Sequence, residues 1–309
     1  MTVCERSMPA RWVSDDVLAL AGAGRATGSV TARFGSTLYA ELGDFVVAVV
    51  PPGAPRMPNG VSAGAALGGD DGPDVGDPVV LTKSSLQAGP VAIGWDPLRP
   101  PRWDARVVPW SREQRRGLQE RARAILAAEP EAATPELATE WLARLGGFAA
   151  RDPGARAGLE SLVGAVRSGD PADAGRAGRE LTGRGPGLTP VGDDVLAAAA
   201  LTVASAGTSQ PAPRARHRAW LAALTPPDLR KRTTSVSATL LELAVRGHGI
   251  GPACELLRPG PVHERRLRRE LASLRRLGHT TGAAYAATIG AVALQLAWDD
   301  NGMNDKETR

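Results

Sequence analysis

Between Leu181 and Asp194 the chain reads LTGRGPGLTPVGDD, and an alanine-rich apolar run follows. Glycine tolerates positive φ and lets a ligand approach the main chain. A helix opening near Asp193 would present unpaired N–H groups and the positive end of its dipole to an anion. The chemistry this suggests is a cradle for phosphate or carboxylate, with donors from Gly185, Gly187, Leu188 and Thr189. No Gly-Lys-Ser/Thr follows, so this is not a nucleotide P-loop, and a helical segment rather than a strand precedes it, which excludes the dinucleotide fingerprint. Asp193 and Asp194 have two readings: they satisfy N–H groups at their own helix start, or they bind a cation or orient a substrate amide. The spacing leaves both open.

Two further polar turns open apolar helices. Thr233 to Thr239 carries five hydroxyls in seven residues behind Arg230, Lys231 and Arg232, and leucines follow at 240, 241 and 243. Hydroxyl residues are poor helix formers unless they cap the backbone or meet a ligand. Basic groups beside hydroxyls also suit an oxyanion, which makes Arg232, Thr233 and Ser237 candidates alongside plain capping. The third turn, GHTTG at 278–282, contributes His279 and Thr281. A lone histidine there is a cap or surface residue on one reading and a catalytic group on the other. Three such turns, each at a helix start, can converge on one site, and that shared placement favours an enzyme. Asp193, Asp194 and His279 are then the candidate catalytic groups. No cofactor is expected, with a divalent cation at Asp193 and Asp194 kept open.

The elements that must position these turns fall into two parts. From Gly28 to Val50 apolar residues alternate around a Gly43-Asp44 turn, a hairpin pattern. Val79 to Thr82, Val91 to Trp95 and Ala105 to Trp110 read as further strands. From Ser111 onward alanine, leucine, arginine and glutamate dominate between proline and glycine breaks. Helices are expected over 111–128, 135–145, 155–168, 171–181, 193–205, 214–224, 228–245, 262–277 and 281–298. The expected fold class is α+β, with a small, mostly antiparallel β domain at 1–110 and a larger, nearly all-helical domain at 111–309.

Length and composition bound the function. A chain of 309 residues can bury a full core without staples. Its two cysteines, Cys4 and Cys254, form neither a disulfide framework nor a zinc motif. The net charge of +4 rests on arginine, with lysine only at 83, 231 and 306, and aromatic residues are 4% of the chain. Stacking platforms for nucleic acid are therefore scarce, and no nucleic-acid partner is expected. The arginines at 265, 266, 268, 269, 275 and 276 oppose an apolar face of Leu267, Leu271, Leu274 and Leu277, which reads as a solvated amphipathic helix. No secretory signal is expected from the first residues, and the uncharged stretch Gly282 to Trp298, which includes Thr288 and Gln295, is not expected to span a membrane. A cytoplasmic protein without membrane contact is expected.

The run GxGPGLTPxGDD before an alanine-rich helix resembles the AllH family. The blocks Arg232 to Leu241 and Gly278 to Gly282, and the turn Met57 to Val61, are similar to that family's pattern, so the resemblance spans about residues 24 to 298. It implies a subunit of a three-component oxamate carbamoyltransferase of anaerobic allantoin breakdown, acting with FdrA-like and AllG-like partners. The implied reaction converts oxalurate and phosphate to oxamate and carbamoyl phosphate, so its substrates are small anions. Val191 stands where the family commonly has serine, and Thr281 where serine is more usual. The alternatives are a non-catalytic structural or regulatory subunit that docks the partners, and a relative acting on a different amide or carboxylate.

Overall fold

The computed structural model describes residues 6–65, 67, 72–111, 114–128, 152–207, 211–278 and 280–296. Cys4, the helix expected at 135–145, His279 and the end of the chain from residue 297 lie outside the described residues. The chain divides into two compact units, Met1–Ala105 and Arg106–Arg309.

The first unit contains β1 (Arg6–Ser14), α1 (Asp15–Ala23), β2 (Ala26–Phe34), β3 (Thr37–Leu42), β4 (Phe45–Val50), β5 (Gly60–Ala63), β6 (Pro78–Leu81), β7 (Ser85–Ala88), β8 (Val91–Gly94) and β9 (Arg102–Trp103). The sheet order β5-β4-β3-β2-β6-β7-β8-β1 closes through a β5–β1 pairing, and β9 attaches to β1. This corrects the expected mostly antiparallel β domain: the strands form a closed eight-stranded barrel of mixed direction. β1 runs parallel to β8 and β9 and antiparallel to β5, while β4 and β5 are parallel. Alternation along a strand reports which face is buried, not which neighbour it pairs with. Closure leaves the inward residues packed together, among them Val30, Leu38, Val47, Val61, Leu81, Leu86 and Ile93. Asn59 is fully buried beside them and donates from Nδ2 to Val46 O at 2.8 Å.

Ala105 to Trp110 is not a strand; it makes only the isolated bridge Arg106–His248. Within the second unit it is held by Val107 N to Gly247 O, 2.8 Å, Trp110 N to Ser205 O, 2.7 Å, and the Trp110 indole N–H to Leu257 O, 2.7 Å.

The second unit holds α2 (Arg115–Ala127), α3 (Pro153–Ser168), α4 (Pro171–Leu181), α5 (Val191–Ala206), α6 (Pro211–Ala223), α7 (Leu229–Arg232), α8 (Ser235–Ala244), α9 (Gly251–Leu256), α10 (Glu264–Arg275) and α11 (Thr281–Leu296). Asp152 and Asp170 cap α3 and α4, each followed by a proline whose missing N–H costs nothing in the first turn. α5 and α11 are apolar nearly all round, so both must lie in the interior. They pack against each other, with α8 on α5 and with α2 and α10 on α11. The single helix expected over 228–245 is interrupted at Thr233 and Thr234, which separate α7 from α8. No helix among the described residues is long and apolar enough to cross a membrane.

Candidate functional site

The glycine-rich segment is the connection from α4 to α5. Gly183, Gly185 and Gly187 take φ of 75°, 106° and 100°, a region that side chains bearing Cβ rarely adopt. At Gly183 close approach adds to this, because a Cβ would lie 1.9 Å from Arg232 O. The loop turns tightly enough for Gly192 N to donate to Arg184 O at 2.9 Å. Among the described residues, the N–H groups of Gly185, Gly187, Leu188 and Thr189 donate to no carbonyl. These are the four donors read from the sequence as an anion cradle.

Asp193 and Asp194 do not cap their own helix. Pro190 is the N-cap of α5 with no side-chain bond, and the N–H groups of both aspartates donate to Pro190 O, at 2.9 and 3.1 Å. The Asp193 carboxylate instead ties segments together. It accepts from Gly183 N at 2.8 Å, from the Thr233 hydroxyl, and from Ser237. Burial pushes the Asp193 carboxyl above its usual range, and those three donors oppose the shift.

Asp194 has a different environment. It is 3% exposed, and its Oδ2 has no hydrogen-bond partner. Burial pushes its carboxyl well up; the Thr281 hydroxyl pulls the other way, and the neighbouring Asp193 charge pushes further up. Thr281 Oγ1 is also 3.0 Å from Thr189 Oγ1. A hydroxyl has one proton to give, so when Thr281 donates to Asp194 it accepts from Thr189. This chain of hydroxyls connects a buried carboxyl to the glycine loop. A cation placed between the two aspartates would find Asp194 Oδ2 as the oxygen not already bonded, and among the described residues no group of three or more His, Cys, Asp or Glu could hold a metal ion.

Thr234 secures the α8 start. Its Oγ1 accepts from Ser237 N at 3.1 Å as N-cap and donates to Leu188 O at 2.6 Å. Thr234→Val keeps the shape and removes both bonds. It is expected to cost about 1–2 kcal/mol in urea unfolding.

The starts of α5, α8 and α11 are thus joined by side chains: Thr233 and Ser237 to Asp193, Thr234 to Leu188, and Thr281 to Asp194 and Thr189. Arg232 is turned to other partners. Its Nε donates to Asp228 at 2.8 and 2.9 Å, and its Nη1 to Arg179 O at 3.1 Å. His279 falls outside the described residues.

Residues 181–293 match the family model of AllH, oxamate carbamoyltransferase subunit AllH. That span contains all three helix starts and each bond that joins them. No curated protein and no solved structure matches the chain. Within the AllH-matching segment lies one polar residue that sequence reading missed, Tyr285, 3% exposed on α11. Burial pushes its phenol well above the ordinary range, and the charges of Asp194, Cys254 and Asp193 push it further. Its signal was available, since it stands four residues after Thr281 and therefore on the same helix face, in an otherwise small and apolar run.

Proposed function

We propose that this chain is a subunit of an oxamate-type carbamoyltransferase, binding its anionic substrates at the joined starts of α5, α8 and α11. The observation that carries the reading is Asp194. It is a buried carboxyl held up in pKa, with one oxygen unshared, and it connects through Thr281 and Thr189 to a loop offering four unused N–H donors. The loop N–H groups of Gly185, Gly187, Leu188 and Thr189 bind phosphate and meet charge developing on the carbamoyl oxygen. A phosphate oxygen attacks the carbamoyl carbon of oxalurate, and the bond from that carbon to the amide nitrogen breaks. The nitrogen leaving as oxamate takes a proton, which Asp194 supplies through the hydroxyl chain once Thr281 and Thr189 have both turned to donate toward the loop; hydrogen phosphate returns it. A carboxyl kept neutral by its surroundings suits that role. Asp193, whose oxygens already accept from three donors, keeps Gly183 and Thr233 in place.

The test is reconstitution with FdrA-like and AllG-like subunits of the cytoplasmic allantoin pathway. Carbamoyl phosphate should appear from oxalurate only when phosphate and this chain are both present. An assembled complex that forms no carbamoyl phosphate, or forms it equally without this chain, would sink the proposal. The second reading, a docking subunit, is favoured by the exposure of Pro186 and Gly187 at the loop tip. Saturable binding of carbamoyl phosphate to the isolated chain would count against it.

A further inference from the structure

We propose that Arg121, Arg258 and Arg266 form a binding site for a small oxyanion, phosphate or a short carboxylate, separate from the site at the starts of α5, α8 and α11. A pocket of about 80 Å³ is walled by α2, α9, the start of α10 and the connection between the last two, and no residue of the glycine loop or of those three helix starts lines it. That volume is several times what one water requires.

Its charge is unusual. Arg121, on α2, is 7% exposed, and its guanidinium donates only to carbonyls: Gly260 at 2.8 Å, Pro261 at 3.1 Å, and Glu255 and Leu256 at 3.5 Å. Its Nε is buried with no partner, and the group stands 5.5 Å above the Trp110 ring. No carboxylate among the described residues neutralises it. Burial, and then the charge of Arg266, lower its pKa, as expected for a buried cation lacking a counter-ion.

The two carboxylates of the pocket wall are already spent. Glu255 accepts from Arg258 Nη2 at 2.6 Å and also from Arg266, and Glu270 accepts from Arg269 Nε at 2.9 Å. Three arginines of the wall therefore face two glutamates, one of which is engaged by Arg269 from outside the wall, and Arg266 Nε is again buried without a partner. α10 also begins here, with His263 as an N-cap that makes no side-chain bond, so its first N–H groups add positive potential. An oxyanion supplies what this wall lacks, a compact negative charge with several acceptors.

The test does not depend on the carbamoyltransferase reading. The chain has four histidines, and the imidazole NMR signal of His263, identified by its loss in His263→Gln, reports on this pocket, while that of His279 reports on the GHTTG turn. Inorganic phosphate and oxalate are titrated separately into the full chain. A saturable shift of the His263 signal with either one is expected, and the tighter of the two identifies the natural class. Arg258→Gln should weaken binding by about fivefold. Glu255→Gln, which frees Arg258 and Arg266, should tighten it by a similar factor. A His263 signal that does not move, or moves without saturating, with both anions on the wild-type chain overturns the proposal. A folded Glu255→Gln that binds no more tightly overturns it too.

Discussion

Replacing Gly192 with alanine is expected to destabilise the helical unit by about 3 kcal/mol or more and to abolish any activity that depends on the glycine loop. The added Cβ would stand 2.1 Å from Leu181 O, 3.0 Å from its carbonyl carbon and 3.3 Å from Arg184 O. All three are backbone atoms, so no side chain can swing aside. Gly192 cannot retreat either, because its own N–H is bonded to Arg184 O at 2.9 Å and Asp193 beside it is bonded to Gly183. Relief requires moving the end of α4 away from the start of α5, which disconnects Asp193 from its donors. Gly187→Ala is the control. Its Cβ meets nothing within 4 Å, and only the positive φ of 100° is strained, at a cost of about 1–2 kcal/mol. Urea unfolding of both variants measures the difference. A Gly192→Ala chain within about 0.5 kcal/mol of wild type would mean that the loop does not make this close approach.

The three helix starts were legible because turn chemistry is local. Hydroxyls and glycines crowded before an apolar run have few uses other than capping, close approach or ligand binding. Which of these applies was not legible. Asp193 and Asp194 are adjacent in sequence, yet one is consumed by Gly183, Thr233 and Ser237 while the other keeps an unshared oxygen. Only the packing of α8 and α11 onto α5 separates them. The break at Thr233 and Thr234 has the same origin. The apolar spacing continues through it, but Thr233 must reach the Asp193 carboxylate and Thr234 must reach Leu188 O, and tertiary demand overrides the helical pattern. Barrel closure was lost for another reason. It depends on β1, whose residues Ala10 to Val13 pair with Val61 to Ala63, and strand alternation does not encode partners so distant in sequence. Arg6 to Ser14, containing a proline and two arginines, does not read as a strand alone.

Asp194→Asn is expected to lower phosphate-dependent turnover of the reconstituted complex by about a hundredfold or more, yet leave the chain at neutral pH as stable as wild type or more so. The sign follows from linkage. Burial raises the Asp194 carboxyl pKa in the folded state above its unfolded value near 4. Between those two values the folded chain holds a proton that the unfolded chain has lost. Wild-type stability therefore falls as pH rises from about 4 through the folded pKa, and this contribution is constant above it. Asparagine cannot ionise and removes that slope, while its amide oxygen still accepts from Thr281. Asp193→Asn differs in stability, although the Asp193 carboxyl is also raised by burial and its linkage has the same sign. Both carboxylate oxygens there receive donors, so an amide nitrogen would face an N–H or a hydroxyl, and a loss of about 1–3 kcal/mol is expected. Urea unfolding across pH 4 to 8, run beside the transferase assay, reads both variants. Full turnover in Asp194→Asn, or a neutral-pH stability below wild type, would remove the proton-supplying role. A carboxyl that costs stability where the protein works needs a function to account for its presence, and the hydroxyl chain to the glycine loop provides a place for that function.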